Sequence, residues 1–324
     1  MQKLSYRHRA VGTLGTLAKV LGVTTQQLQR VADNADKLYR PGPRLEKGDG
    51  TYRETWDAMP QLKSVQGRIK DRILALVDYP EYLQGGIRGR DYKQNAELHS
   101  GSRVVINEDI KNFFPSISTQ AVFDIWRHFF HFPDPVAQCL AKLTTRNGEV
   151  PQGARTSTHI ANLALWRSEG QLVEKLRPRG IRYSRLVDDI SVSARHTITR
   201  SEKTAMVGDI VGMLSKRGFT AKRSKHAIMT SGQAMSVNKL AVNRRAGLTK
   251  RVRALIRSAV HEFEQRAMRE ADSQDLRAAY NRVLGRVGLL KRFHRDTGEI
   301  LKKRLEAIRP QAINRQFAVR AGIA

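Results

Sequence analysis

The sequence has little cysteine, few acidic residues and no long apolar run. Its one cysteine, Cys139, excludes an intrachain disulfide and, in practice, a zinc site built on cysteine. The residues around it predict a helix interior, so we interpret Cys139 as a small core side chain. The single cysteine fits a reducing cytosol, so we expect a cytoplasmic protein. Neither a stretch of 18 apolar residues nor a signal peptide with an apolar segment is recognisable, so we predict no membrane partner.

The shortage of acidic residues leaves a large positive charge. Lys and Arg number 58 against 30 Asp and Glu, which gives a formal net charge of +28 and a pI near 10.8. Such a charge concentrates polyanions around a protein, and it is typical of proteins that bind nucleic acid. An anionic membrane surface is the alternative partner, and the absence of apolar segments favours nucleic acid.

The order of patterns along the chain predicts an α+β protein with several lobes. Its 324 residues, 40% of them hydrophobic, can bury a sizeable core. Apolar spacing predicts helices over 1–40 and 62–78, alternating strands and helices over 104–235, and basic helices from 249 onward. The stretch 17–28 is compatible with a helix-turn-helix, but we interpret it as a helical hairpin packed on the body.

The basic helices combine an apolar stripe with a charged face. The two predicted stripes are Leu255, Ile256, Ala259, Val260 and Phe263, and then Leu276, Tyr280, Val283, Leu284 and Val287. Each helix therefore has one face for a core and another for phosphate. Arg251, Arg253 and Arg257 are our candidates for contacts with nucleic acid.

Two acidic stretches stand next to apolar sequence. A buried strand is predicted to end at Asp109, and because side chains alternate across a strand, Glu108 and Asp109 would point to opposite faces. Only one of these two acids can therefore serve a given site. The second stretch, 181–193, predicts a β-hairpin with Asp188 and Asp189 at its tip.

An Asp-Asp pair is also common in solvated turns, so the pair alone does not distinguish a turn from a site. Hydrophobic sequence on both sides places it on a core hairpin, where a divalent cation would offset the cost of buried negative charge. Joining a nucleotide to a 3′-hydroxyl uses two metal ions about 3.5–4 Å apart. Mg2+ prefers hard oxygen ligands, and Mn2+ is the alternative. We therefore predict that Asp109, Asp188 and Asp189 hold two Mg2+ ions in a nucleotidyl-transferring polymerase.

Four motifs, found in the expected order, give the chain a resemblance to the reverse transcriptases of bacterial retrons over about residues 50–245. The motifs are 95–99 (NAELH), similar to the NAxxH element of these enzymes, 107–117 (NEDIKNFFPSI), similar to their first catalytic motif, 150–157 (VPQGARTS), similar to their nucleotide-binding loop, and 186–189 (LVDD), in the place of Tyr-Ala-Asp-Asp.

The resemblance implies a right-hand polymerase fold. A helical N-terminal segment (1–40) would lead into fingers (41–103), a palm with an antiparallel sheet (104–240) and a basic helical thumb (241–324). Part of the fingers would lie near 135–155.

The same resemblance implies an RNA-directed DNA polymerase that copies a cognate structured noncoding RNA. It would consume dNTPs and make branched, RNA-linked single-stranded DNA in anti-phage defence. A separate effector protein is a further expected partner, and the location would be the bacterial cytoplasm.

The resemblance also assigns roles to single residues. Phe114 looks like the gate that excludes a ribose 2′-hydroxyl, with a core aromatic as the alternative. Gln152 and Gly153 look like contacts to the incoming nucleotide. Lys225 looks like a lysine that could protonate pyrophosphate, with an ordinary surface lysine as the alternative. The backbone carbonyl of Ile110 is a further expected metal ligand.

Two more pairs of residues carry expected contacts. Arg53 and Lys63, in the fingers, would clamp the triphosphate. Asn95 and His99 lie four apart and would share a helix face, where the resemblance implies that they recognise or position RNA. Helix capping or core packing is the alternative role for this second pair.

The chain departs from the family pattern at several positions. Leu186 replaces the usual Tyr of the catalytic hairpin, which leaves the metals alone but alters the grip on the primer end. Arg155 and Thr158 stand where prolines are common. The family's Val-Thr-Gly element, linked to recognition of the cognate RNA, appears as 237–239 (VNK).

Other functions remain open at this point. One is a reverse transcriptase outside the retrons, from another defence system or of the intron type. Another is a catalytically inactive basic module that binds nucleic acid, although clustered acids would not serve a pure binder of polyanions. A scaffold for a toxin-like partner is compatible with catalysis.

Overall fold

The computed structural model describes residues 3–46, 50, 52–270 and 273–309. The chain divides into two compact units between Asn238 and Lys239. The end of the predicted thumb, 310–324, lies outside the described residues. None of the helices in the described part of the chain is long and apolar enough to cross a membrane.

The described residues form twelve α-helices and eleven strands. The helices are α1 (Leu14–Leu21), α2 (Thr25–Asp33), α3 (Pro60–Arg72), α4 (Tyr92–Leu98), α5 (Thr119–Asp124), α6 (Asp134–Thr144), α7 (Ser157–Leu163), α8 (Glu169–Leu176), α9 (Arg200–Ser215), α10 (Lys250–Arg269), α11 (Gln274–Phe293) and α12 (Arg295–Ala307). The strands are β1 (Tyr39–Pro41), β2 (Leu45–Glu46), β3 (Tyr52–Arg53), β4 (Trp56–Ala58), β5 (Val104–Asp109), β6 (Ile181–Leu186), β7 (Asp189–Ala194), β8 (Ala227–Thr230), β9 (Ser236–Val237), β10 (Leu240–Ala241) and β11 (Gly247–Leu248).

The first two helices form a hairpin that packs on the body of the first unit. Thr24 and Gln27 cap α2 reciprocally, each side chain bonding the other's backbone N–H. Leu17 and Leu28 are fully buried. Helix α1 contacts α3 and α6, and α2 contacts α6. Arg68 of α3 donates to the carbonyl of Leu21 at the end of α1. The packing agrees with our interpretation of a helical hairpin.

Helix α3 is shorter than the prediction of 62–78. It begins with Pro60 at its first turn, where the missing N–H costs nothing. It ends at Arg72 because the chain from there turns to pair with the N-terminal segment. The backbone N–H of Asp78 donates to the carbonyl of Ser5 at 2.9 Å, and Ser5 returns the bond. A helix continued through residue 78 could not make this pair.

Four antiparallel strands form the central sheet in the order β6-β7-β5-β8. β5 is an inner strand, which pairs with β7 from Val104 opposite Ala194 to Asp109 opposite Asp189. Val104, Val105 and Ile106 are buried, as expected for β-branched residues in a sheet centre. The predicted strand to Asp109 and the predicted hairpin over 181–193 are both confirmed.

The second unit is helical. Helices α10, α11 and α12 pack on one another, and β10 and β11 form a short antiparallel pair. The predicted apolar stripes supply much of the core: Val260 and Val287 are buried, and the ring of Phe263 of α10 packs against that of Tyr280 of α11 with 5.7 Å between ring centroids. Leu255 is an exception, since its side chain is 58% exposed. It precedes the buried Ile256 and lies outside the stripe.

Candidate active site

The β6–β7 hairpin has a two-residue turn that presents an acid. Val187 and Asp188 form the turn, and Asp189 is the first residue of β7. Val187 has a positive φ of 61°, which is a strained conformation for a β-branched residue. Gly85 packs directly against the turn, because a Cβ atom at Gly85 would lie 2.7 Å from the backbone nitrogen of Val187. The absence of a side chain at Gly85 therefore allows this close approach.

Asp109 lies at the end of β5, directly opposite Asp189 in the register of the two strands. The backbone N–H of Ile110 donates to the carbonyl of Asp188 at 3.0 Å, which ties the end of β5 to the turn. Asp109 is only 4% exposed. The three acids, remote in sequence, therefore converge at one end of the sheet.

The surroundings of Asp188 and Asp189 raise the pKa of both carboxyl groups. Burial raises the pKa of Asp188, and the neighbouring negative charge of Asp109 raises it further. Burial, followed by the charge of Asp188, raises the pKa of Asp189 to about 6. Both shifts mean that the ionised forms lack full compensation by positive charge. The cluster therefore favours binding of a cation.

Lys225 supplies part of that compensation. Its ammonium donates a hydrogen bond to Oδ2 of Asp109. The backbone N–H of Lys222 donates to the Asp109 carbonyl at 2.7 Å, which holds the lysine-bearing segment against β5. Burial alone would lower the pKa of Lys225, but the bond and charge of Asp109 outweigh it and the pKa is raised. Lys225, although half exposed, therefore lies at the acid cluster and bonds Asp109.

Glu108 occupies the opposite face of β5. Its buried carboxylate lies 2.5 Å from Nδ1 of His226, whereas Asp109 faces Lys225. Of the two adjacent acids, only Asp109 belongs to the cluster, which confirms the expected alternation.

The donor chemistry of the cluster fits a divalent cation. Among the described residues, no three His, Cys, Asp or Glu side chains are arranged as a ready-made metal site. The ammonium of Lys225 instead bonds the carboxylate that an ion would share. Carboxylate oxygens are the ligands that Mg2+ prefers. To bind an ion, Asp109 would exchange its bond with Lys225 for a bond to the metal.

A buried ion pair beneath the turn is the main feature that sequence reasoning missed. Arg185 and Glu169 are almost fully buried, and two bonds of 2.5 and 2.8 Å join them. Arg185 also donates to the carbonyl of Val187 at 2.9 Å, and the hydroxyl of Tyr183 donates to Glu169 at 2.8 Å. The available signal was Arg185 at a spacing of two from Ile181 and Tyr183, which places a charged residue on the same face of β6 as these two large side chains.

The loop expected to bind the nucleotide packs against β4. The carbonyl of Gln152 accepts a 2.8 Å bond from the backbone N–H of Trp56. Gly153 has a φ of 112°, and a Cβ atom there would lie 2.8 Å from the carbonyl oxygen of Trp56. Only glycine suits this conformation and this contact. Phe114 is half-buried and packs beside Phe113, with 6.2 Å between ring centroids.

Arg53 and Lys63 differ in their surroundings. Burial and the charge of Asp109 raise the pKa of Asp188, and the positive charge of Arg53 offsets a small part of that rise, so Arg53 lies within electrostatic reach of the acids. Lys63 instead forms a 2.6 Å ion pair with Asp57, which also binds Arg40 at 2.7 Å. The structure therefore brings Arg53 to the cluster and commits Lys63 to another ion pair.

Asn95 and His99 are both fully buried, so neither presents surface to RNA in this structure. His99, at the end of α4, bonds Ser184 of β6 at 2.7 Å and Ser193 of β7 at 2.8 Å. Burial, followed by the positive charge of Arg182, lowers the pKa of His99 to about 4. His99 makes its side-chain hydrogen bonds inside the fold, and Nδ2 of Asn95 donates to Asn238, so a contact of either residue with RNA stays a prediction.

The three candidate RNA-contacting arginines of α10 differ in their exposure to solvent. Arg251 and Arg257 are exposed, whereas Arg253 is half-buried. Burial and, second to it, the positive charge of Arg253 lower the pKa of His294. The side chain of Arg253 therefore lies near His294, the residue that precedes α12. Arg251 and Arg257 therefore remain available to solvent, and Arg253 packs within its unit.

Comparison with known proteins gives one consistent family. The family described as "Reverse transcriptase (RNA-dependent DNA polymerase)" matches residues 45–265. The retron Se72 reverse transcriptase of Salmonella heidelberg (strain 579083-10) is 32% identical over 315 residues, covering 96% of this chain and 83% of the relative. The retron Ec48 reverse transcriptase of Escherichia coli is 31% identical, covering 95% and 79%. The retron Mx65 reverse transcriptase of Myxococcus xanthus is 26% identical, covering 89% and 70%.

Proposed function

Because this chain belongs to the retron-type reverse transcriptases and is an RNA-directed DNA polymerase, we propose that it copies a cognate structured noncoding RNA into branched, RNA-linked single-stranded DNA. The proposed reaction is attack of a primer hydroxyl on the α-phosphate of a dNTP, with release of pyrophosphate. Asp109, Asp188 and Asp189 are the proposed ligands of two Mg2+ ions.

The observation that carries this proposal is the pairing of Asp109 with Asp189 across β5 and β7. It places one carboxylate beside two others whose raised pKa values show uncompensated negative charge. A site of this kind attracts cations rather than phosphates. Bound metal ions would make the net charge of the cluster positive, and the cluster could then attract the phosphates of a nucleotide.

Two Mg2+ ions, when bound, would activate the attacking hydroxyl and stabilise the charge of the leaving pyrophosphate. The chain's own residues have complementary roles in the proposal. Lys225, next to Asp109, would donate a proton to pyrophosphate. Arg53 would bind the triphosphate, and Gln152 and Gly153 would position the nucleotide against β4. Phe114 would exclude a ribose 2′-hydroxyl.

Larger-scale assignments follow from the family. We propose that the first unit contains the fingers and the palm and that the second unit is the thumb. Exposed arginines of α10, such as Arg251 and Arg257, would contact phosphates of the template–product duplex. We also propose anti-phage defence in the bacterial cytoplasm together with a separate effector protein.

The test uses the full chain with oligo(dT) annealed to poly(rA), dTTP and Mg2+. Wild-type protein is expected to extend the primer, and Asp188→Asn is expected to abolish extension while retaining the fold. Asp71→Asn is the matched control, because Asp71 is an exposed acid of α3 that pairs with Lys70. Extension by Asp188→Asn at the wild-type rate would refute the metal assignment.

The retron part of the proposal has its own test. Nucleic acid that copurifies with the protein from its bacterial host would be sequenced after treatment with a debranching enzyme. A branched RNA–DNA molecule is expected. Polymerase activity without any such molecule would refute the retron-type product while leaving the polymerase assignment intact.

A further inference from the structure

A chain of two hydrogen bonds leads from the interior of α4 to the acid cluster. Nδ2 of Asn95 donates to Oδ1 of Asn238 at 2.5 Å. Nδ2 of Asn238 in turn donates to Oδ2 of Asp189 at 3.3 Å. Asn95 is fully buried, and Asn238 is half-buried. These three residues therefore link a buried amide to a proposed metal ligand.

Chemistry fixes the direction of this chain. An ionised carboxylate only accepts hydrogen bonds, so Asn238 must turn its NH2 group toward Asp189. Its carbonyl oxygen then faces Asn95, which must present its own NH2 group. The opposite orientation of either amide would place two acceptors against each other. The arrangement thus has one polarity, which is set by the charge of Asp189.

Helix α4, which carries Asn95 at the start of this hydrogen-bond series, is held at both of its ends. Asp91 caps α4 by accepting from the backbone N–H groups of Lys93 and Gln94 at 2.7 and 3.0 Å. At the other end of α4, His99 bonds both strands of the catalytic hairpin. Within the described residues Oδ1 of Asn95 has no hydrogen-bond partner. The bond to Asn238 is therefore the polar contact that orients the Asn95 side chain.

The backbone at Asn238 is suited to the link. Its φ is 47°, in the left-handed region that asparagine tolerates better than most residues. In this conformation the side chain lies between Asn95 and Asp189 and bonds both. Position 238 falls within the stretch 237–239 (VNK), which replaces the Val-Thr-Gly element of the resembling enzymes.

We propose that Asn95 and Asn238 are positioning residues, which fix the orientation of the Asp189 carboxylate so that it can bind a divalent cation together with Asp109 and Asp188. The inference rests on the proposed function of the three acids. Mg2+ requires near-octahedral geometry, so a freely rotating carboxylate is a poor ligand. Hydrogen bonds to metal-ligating carboxylates typically change metal affinity by about 10–100-fold when they are removed.

The experiment measures metal binding as well as activity. Binding of Mn2+ to the full chain would be followed by the loss of the free-ion signal in electron paramagnetic resonance. In parallel, the Mg2+ dependence of primer extension would be measured on poly(rA)·oligo(dT). Asn95→Leu retains side-chain volume without the donor, and Asn238→Gly removes the side chain without strain at positive φ.

We expect each variant to weaken Mn2+ binding and to raise the Mg2+ concentration for half-maximal extension by about 10-fold. The double variant should bind Mn2+ no more weakly than the weaker-binding single variant, because both substitutions interrupt the same series of hydrogen bonds. Gln94→Ala, an exposed neighbour on α4, should behave as wild type. A purely structural role would lower stability and leave the Mg2+ dependence unchanged.

The outcomes separate this inference from the proposed function. Wild-type activity with unchanged metal binding in both variants would overturn the positioning role and leave the polymerase assignment standing. If wild type itself neither extends the primer nor binds Mn2+, the proposed function fails. If one variant does not fold, the other decides, since the two substitutions remove neighbouring members of the same hydrogen-bonded series.

Discussion

Arg185 and Glu169 form a bidentate ion pair directly beneath the turn that carries Asp188. The burial of Arg185 would lower its pKa, but the charge and hydrogen bonds of Glu169 outweigh burial, and the pKa is raised. The guanidinium also bonds the carbonyl of Val187, a residue held in a strained conformation. The pair thus anchors the turn to α8.

Breaking this pair should destabilise the fold strongly. Arg185→Met leaves Glu169 buried and uncompensated, so we expect a loss of about 3–5 kcal/mol in the free energy of unfolding. Urea titration measures the change. Lys142→Met removes a partner from the exposed Lys142–Asp33 pair, and the expected cost there is below about 1 kcal/mol. Equal effects of the two substitutions would contradict the anchoring role.

Removing one acid should raise stability while it removes activity. The raised pKa of Asp189, about 6, means that its ionised form opposes folding at neutral pH. Asp189→Asn should therefore increase the free energy of unfolding at pH 7.5 in EDTA, on the order of 1–3 kcal/mol. The variant should also lose primer extension.

Thermal unfolding with and without Mg2+ tests the same assignment. Mg2+ should raise the melting temperature of wild type more than that of Asp189→Asn, because binding to the folded state stabilises it. Asp71→Asn should respond to Mg2+ as wild type does. A less stable Asp189→Asn in EDTA would argue against charge repulsion in the cluster.

Stability should fall in mild acid because of His99. The pKa of His99 is about 4 in the folded protein, where burial and Arg182 disfavour its charge, and about 6.5 in the unfolded chain. The unfolded state therefore binds a proton as the pH falls through 6.5, and the folded state does not. The expected contribution of His99 is a loss of about 2 kcal/mol between pH 7 and pH 5.

Urea titrations at both pH values measure this loss. His99→Gln should show a smaller loss than wild type between pH 7 and pH 5, whereas the exposed His128→Gln should match wild type. His159, whose pKa burial also lowers to about 4, adds the same trend to all three proteins. An unchanged pH dependence in His99→Gln would exclude His99 as its source.

Gly85→Ala should displace the catalytic turn. The added Cβ would lie 2.4 Å from Cγ2 of Val187 and 2.7 Å from its backbone nitrogen, and the backbone atom cannot move aside without shifting Asp188. A misplacement of about 1 Å can cost about 100-fold in rate, so we expect a loss of that order in kcat. Gly12→Ala, where the Cβ would meet nothing within 4 Å, is the control.

Sequence reasoning located the strand ending at Asp109 and the hairpin with Asp188 and Asp189 because their patterns are local. Alternation of apolar residues identifies strands, and an interrupted apolar run identifies a turn. The end of α3 at Arg72 was not predictable in this way, since it depends on the pairing of Asp78 with Ser5. Leu255 likewise fits a helical stripe by spacing and yet is exposed.

The sequence by itself determined the positive charge, the α+β class and the identity of the three acids, since these depend on composition and on short-range patterns. Only the tertiary structure decided which groups surround those acids. Lys225 reaches Asp109, Arg185 supports the turn, and Asn95 connects with Asp189 through Asn238. Hydrogen bonds and ion pairs act over a few ångströms in space, so contacts between residues remote along the chain arise only when strands and helices pack.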